Sequence, residues 1–245
     1  MTTEPASGAR GSGSGSVRTL GPGPLIPVLV VLLVAACSRP PAPVVPEGAF
    51  LPVSPDSFRA AAARTAPGTP ALLAIHWTYD DGDAPLSGRG AVHLAPPDSL
   101  RLDVGIPIVG RATLVLAGDS AWSRPGTLVQ QVLPSRSLVW AMFGVVRPPD
   151  RVVSVERNVT ADHRTWRVAD ADGIVTTLDL RGDTLLGASE ARGGQALGRL
   201  DLTRDAAGAI VRAEATDVEH GARFTVNVDH RETGGAFPSE IWRRP

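Results

Sequence analysis

The side chains able to do chemistry are few and scattered along the chain. Five histidines, His76, His93, His163, His220 and His230, show neither an HExxH-like pair nor another spacing that would bring two imidazoles to one metal ion. Their settings predict solvated strand faces or loops rather than ligands or catalytic bases. The serines lie in linkers and turns, none of them in a GxSxG elbow, so no nucleophile is paired with a base and an enzyme is not expected. Asp80-Asp81-Gly82-Asp83 could offer carboxylates to Ca²⁺, yet it lacks the later bidentate glutamate of an EF-hand loop and reads as a solvated hairpin turn. Gly105-Ile106-Pro107-Ile108-Val109-Gly110 has glycines but neither a phosphate-binding lysine nor a strand-loop-helix setting, which argues against a nucleotide loop. No metal and no cofactor is implied.

One residue carries a specific chemical expectation. Cys37 is the single cysteine, preceded by Val34-Ala35-Ala36 and by an apolar run that begins at Leu25 and is interrupted by Pro27. About a dozen apolar residues suit the core of a signal peptide and are too few to span a bilayer. The arrangement resembles the lipobox of bacterial lipoproteins, which implies removal of residues 1–36 and acylation of Cys37 with palmitate-type chains. Two or three such chains hold durably where one holds marginally. Ser38 stands where an aspartate would imply retention at the inner membrane, so the resemblance implies the outer membrane, with the domain facing the periplasm. A short membrane anchor with an incidental cysteine is the alternative. If translation starts at Val17, Val17-Arg18-Thr19-Leu20 supplies a compact n-region with one positive charge.

The whole chain of 245 residues is 43% hydrophobic and 20% charged, enough apolar material for one domain with a core. Its formal net charge is −1, and removing residues 1–36, whose Glu4, Arg10 and Arg18 carry a net +1, leaves −2. That balance excludes a nucleic-acid binder held by charge. Every basic side chain is arginine. With Cys37 committed to lipid, no disulfide, thiol nucleophile or cysteine-based metal site remains.

The elements that must position any site follow from the periodicity. Residues 37–53 are rich in proline and predict an extended tether. Ser54-Pro55-Asp56 offers a capping hydroxyl, a proline at the first helical position and an acid in the first turn, so a helix is expected through Thr65, ended by Pro67-Gly68. From residue 71 the period changes to two. Leu73, Ile75, Trp77 and Tyr79 fall on one side, as do Leu86, Gly88, Gly90, Val92 and Leu94, then Leu100, Leu102 and Val104, then Ala112, Leu114 and Leu116. Further strands are expected at 151–156, 164–169, 174–180, 184–191, 197–203, 210–218, 223–230 and 239–242, separated by Gly- and Asp-rich turns. About a dozen short strands without intervening helices predict a mainly β domain over 54–245, one antiparallel curved sheet or barrel. Residues 137–146 are apolar all round and follow Ser135. They predict a helix that must be buried, with the concave face of the sheet as the nearest place.

With tether, strands and buried helix in place, the chain resembles the lipoprotein-localisation factors of the LolA/LolB superfamily, the LolB-like outer-membrane lipoproteins above all. The resemblance rests on Arg89-Gly90-Ala91-Val92, on the strand Ser99-Leu100-Arg101-Leu102-Asp103-Val104 with its Pro-containing apolar turn and following strand, and on Gly235-Ala236-Phe237-Pro238-Ser239-Glu240-Ile241. Related bacterial lipoproteins of unassigned role share these features, and the chain departs from LolB in carrying Ile108-Val109 at the tip where LolB has one leucine. The resemblance implies a half-barrel lidded by helices, with an apolar cavity that receives acyl chains or acylated proteins from a periplasmic carrier. Trp77, Val92, Leu102, Leu114, Leu116, Trp140, Met142 and Phe143 are the expected lining, with simple core filling as the alternative for each. Ile106, Ile108 and Val109, stiffened by Pro107, are expected to form an exposed tip that touches a membrane or partner, with a turn buried under another element as the alternative. A structural or assembly lipoprotein, using the half-barrel as a protein-binding platform, is the alternative function.

Overall fold

Alternating apolar and polar residues become strand after strand in the structure, a computed structural model that describes residues 48–243 except 84, 108, 109, 119, 127, 128, 130, 131 and 161. The expected leader, Cys37 and most of the tether therefore lie outside the described residues, as do Ile108 and Val109. After β1 (Leu51–Pro52) and α1 (Pro55–Thr65) come β2 (Ala71–Asp80), β3 (Leu86–Ala95), β4 (Ser99–Ile106), β5 (Gly110–Ala117) and β6 (Ser120–Arg124). A short helix, α2 (Arg136–Met142), leads to β7 (Val152–Val159), β8 (Arg164–Asp170), β9 (Ile174–Arg181), β10 (Thr184–Arg192), β11 (Gln195–Arg204), β12 (Ile210–Asp217) and β13 (Arg223–Thr233).

Among the described residues these thirteen strands form one antiparallel sheet in the order β1-β7-β8-β9-β10-β11-β12-β13-β2-β3-β4-β5-β6. Two meanders, β2 to β6 and β7 to β13, are joined where β13 pairs with β2, Phe224 opposite Tyr79 and Thr233 opposite Ala71. The terminal strands β1 and β6 do not pair with each other, so the sheet curves as a half-barrel without closing.

Helices α1 and α2 start where hydroxyl caps predict. The Ser54 hydroxyl accepts from the Asp56 N–H at 3.2 Å, and Ser135 from the Leu138 N–H at 3.2 Å. Helix α1 buries Phe58, Ala61 and Ala62, with the Phe58 ring 5.5 Å from that of Trp166 on β8. All residues from Leu138 to Met142 in α2 are buried. This helix, expected over 137–146, stops early because Gly144 turns left-handed at φ +80°, and the N–H groups of Gly144 and Val145 return to the carbonyls of Ala141 and Trp140.

Helix α2 packs against β10, β11 and β12, whose inner faces carry Ala188, Gly198, Ala213 and Ala215. Small residues there make room for a helix. A β-carbon on Gly198 would lie 2.8 Å from Leu138 Cδ1. The inner faces of β2 to β5 instead carry Leu73, Ile75, Trp77, Val92, Leu100, Leu102 and Leu116, all buried, which fill their own half of the concavity.

The last expected strand is not one. Residues Ser239–Trp242 form a 3-10 turn on the convex face, against β4 and β5. The segment's backbone is held there by side chains: an Arg101 guanidinium N–H donates to the Ile241 carbonyl at 2.7 Å and the Trp122 indole N–H to that of Trp242 at 3.4 Å. This cover changes two outward positions, since Val115 is buried and His93, expected in water, is half-buried with its ring 5.0 Å from that of Phe237.

Candidate functional site

The period of two places Trp77, Leu102 and Leu114 on the inner faces of β2, β4 and β5, where they line a cavity walled among the described residues by apolar and aromatic side chains alone. Val104, Ile106 and Ala112 continue the wall, Phe224 of β13 closes it beside Trp77, and Leu133 lies across the top. The Trp77 and Phe224 rings stack with centroids 6.1 Å apart. Gly88 opposes Trp77 across β2 and β3, and a β-carbon there would sit 2.2 Å from the Gly105 carbonyl and 3.0 Å from Trp77 Nε1. The indole can lie flat on the sheet because residue 88 has no side chain. The cavity's volume is about 20 Å³, room for one water molecule.

Phe224 and Leu133 are shared with a larger open cleft of about 690 Å³ at the same end of the half-barrel, within the ~300–1,000 Å³ of small-molecule sites. Its wall includes Leu138 of α2, Glu190 of β10 and Ala215 of β12, and its rim carries Asp81, Asp83 and Asp217. Asp80 and Asp81 accept N–H bonds from Gly82 and Asp83 at 3.0 and 3.2 Å, so Asp80–Asp83 is the hairpin turn expected. On the far rim the His220 ring meets the Asp217 carboxylate at 2.9 Å, which holds the imidazole above its ordinary pKa. Glu190 is buried at the start of α2, where Ser135 donates to it at 2.8 Å. Burial pushes its carboxyl above the usual carboxylate range, and hydrogen bonds from Ser135 and Ser137 pull it back only in part.

The other expected lining residues sit elsewhere. Val92, Trp140 and Met142 are in the solid core, Leu116 faces a separate cleft beside Trp122, and Phe143 lines a third at the opposite end of the half-barrel. Ile106, expected at an exposed tip, turns inward and is 9% exposed. It stands in phase with Leu100, Leu102 and Val104, so extending the same alternation by one step finds it. Phe224, in phase with buried Val226, carries the same signal. Leu133 follows no periodic segment, and only the tertiary structure brings it to the wall. Among the described residues no group of three His, Cys, Asp or Glu side chains gathers as a metal site, and no helix is long and apolar enough to cross a membrane.

No protein-family model matches the sequence, and neither does any curated protein. Solved structures do match. A LolA superfamily protein from Nitrosomonas europaea superposes with a TM-score of 0.52 at 12% identity, covering 78% of this chain and 98% of its own. A domain from Vibrio parahaemolyticus named for outer membrane lipoprotein sorting gives 0.49 at 10% identity, over 76% and 94% of the two chains. A DUF1329 family protein from Desulfovibrio piger gives 0.44 at 7%, over 77% and 96%. The first of these similarities, together with the unclosed antiparallel sheet and its inner helix, shows that this chain has the LolA-like half-barrel fold.

Proposed function

We propose that this protein is a lipid-anchored binding protein of the outer membrane, facing the periplasm, that holds acyl chains or acylated proteins against its concave face and passes them to the membrane. The observation that carries the reading is an apolar cavity bounded by Trp77, Leu102, Ile106 and Phe224 and continuous in its walls with a cleft of about 690 Å³. Each CH₂ withdrawn from water contributes about 0.8 kcal/mol, so a site for chains needs apolar wall and no reacting group. Because the cavity itself holds about 20 Å³, a chain would lie in the cleft and enter the cavity only as Leu133 and Phe224 move apart. Cys37 would provide the anchor, and Ile108-Val109 the contact with the bilayer.

The filled interior also favours a second reading, a half-barrel used as a platform for partner proteins. Mass spectrometry of the detergent-free Cys37→Ala protein separates the two. Co-purifying lipid that is lost in Leu102→Glu supports the carrier, whereas a lipid-free protein that also fails to bind an apolar dye overturns it.

A further inference from the structure

At the end of the half-barrel opposite the acidic rim lies the cleft lined by Phe143, of about 360 Å³, whose wall carries Arg204 and Arg231. The β13–β2 register puts Arg231 and Thr233 opposite Leu73 and Ala71, on the concave side, and Arg204 at the end of β11 faces the same space. Two of the Arg204 amino groups donate to the carbonyls of Gly208 and Leu185, at 2.7 and 2.8 Å, and fix the guanidinium in place. Its Nε is buried without a partner. Arg231 makes no hydrogen bond or ion pair among the described residues and is close enough that its charge, after burial, disfavours the charged form of Arg204. Asp183, the one carboxylate on the wall, is already engaged by Arg64 at 2.9 Å. Two guanidinium groups thus converge with no anion left to offset them, beside the hydroxyls of Thr184 and Thr233 and over an apolar floor of Phe143, Leu185 and Ile210.

We infer that this cleft is a binding site for a phosphate group, held by Arg204 and Arg231 and accompanied by an apolar portion on the Phe143–Ile210 floor when the phosphate belongs to a lipid. Guanidinium forks match phosphate oxygens in pairs, and Arg204 enters the site already oriented, so little of its freedom is lost on binding. The acidic rim at the other end would repel the same group. This site does not depend on acyl binding in the apolar cavity and stands or falls separately from it.

The test is a calorimetric and ³¹P NMR titration of the purified full chain with inorganic phosphate and, in a second arm, with short-chain phosphatidylglycerol below its micelle concentration. Arg231→Gln should weaken binding by about tenfold or more while the melting temperature stays unchanged, since loss of one charge-assisted contact is worth at least one factor of ten. Arg231→Lys, which keeps the charge and loses the fork, should fall between. Binding of both probes identifies a lipid headgroup as the source and binding of inorganic phosphate alone a free ion, and either supports the site. If neither probe binds the wild-type chain, or if Arg231→Gln binds both as tightly, the inference is wrong.

Discussion

At residue scale, what is absent at position 88 matters as much as any side chain. Trp77 lies over Gly88, and the Gly105 carbonyl would be 2.2 Å from any β-carbon there. Gly88→Ala must therefore move a backbone group and should cost about 1–3 kcal/mol in a denaturant titration. Gly68→Ala, with nothing within 4 Å, serves as the control and should change little. Glu190 gives a pH signature. Its folded pKa is raised by burial, so its contribution is favourable below the ordinary carboxylate pKa and is lost as pH rises through the folded value. Glu190→Gln, which keeps the shape and removes the charge, should raise the melting temperature at pH 7.5 and leave it nearly unchanged at pH 4. A variant less stable at pH 7.5 would show that the ionised carboxylate is needed to hold the start of α2.

At the scale of elements, α2 and the C-terminal segment cover opposite faces of the sheet. Trp140 is 2% exposed in a helix buried on every side, so Trp140→Asp would place an unpaired charge in the core and should cost more than about 4 kcal/mol, enough to unfold a domain of ordinary stability. Circular dichroism would read that directly. The C-terminal segment does something subtler. It buries part of His93, whose pKa falls chiefly through that burial although the Asp103 carboxylate opposes the shift. A base with a depressed folded pKa favours the folded state above its ordinary pKa and withdraws that support as pH falls through the folded value. Truncation after Gly235 should return the His93 ring to its ordinary titration range by NMR and lower stability by about 1–3 kcal/mol. A His93 titration that does not move would mean that the strand, not the segment, shields the ring. Beneath the same cover, burial works against the Asp103 carboxylate, but hydrogen bonds from Arg101 at 2.6 Å and Thr113 at 2.6 Å outweigh it and hold its pKa low.

For the whole molecule the half-barrel has two unlike ends, one carrying Asp81, Asp83 and Asp217 beside an apolar cavity, the other Arg204 and Arg231. Anchorage is tested at the same scale. Cys37→Ala should release the protein from membranes or leave its precursor uncut, and wild-type protein that fails to incorporate labelled fatty acid would remove the lipobox reading altogether.

Strand phase is a local property, since successive side chains on a strand point to opposite faces, and alternation alone assigns which of residues 71–116 face inward. The starts of α1 and α2, written in Ser54 and Ser135, were legible for the same reason: a cap acts over three residues. The fold class followed from the number of strands and their turns. The joining of the two meanders at β13 and β2, which brings Phe224 to Trp77, instead depends on pairing between strands far apart in the chain. The tertiary structure also placed α2 on the small residues of β10 to β12 and folded residues 239–242 onto the convex face. Whether inward-facing residues leave space is a matter of packing volume, summed over strands far apart in the chain. Alternation reports the face of a residue and not the distance to the wall opposite, so neither the 20 Å³ of the apolar cavity nor the sharing of one cleft by Arg204 and Arg231 can be read from strand phase.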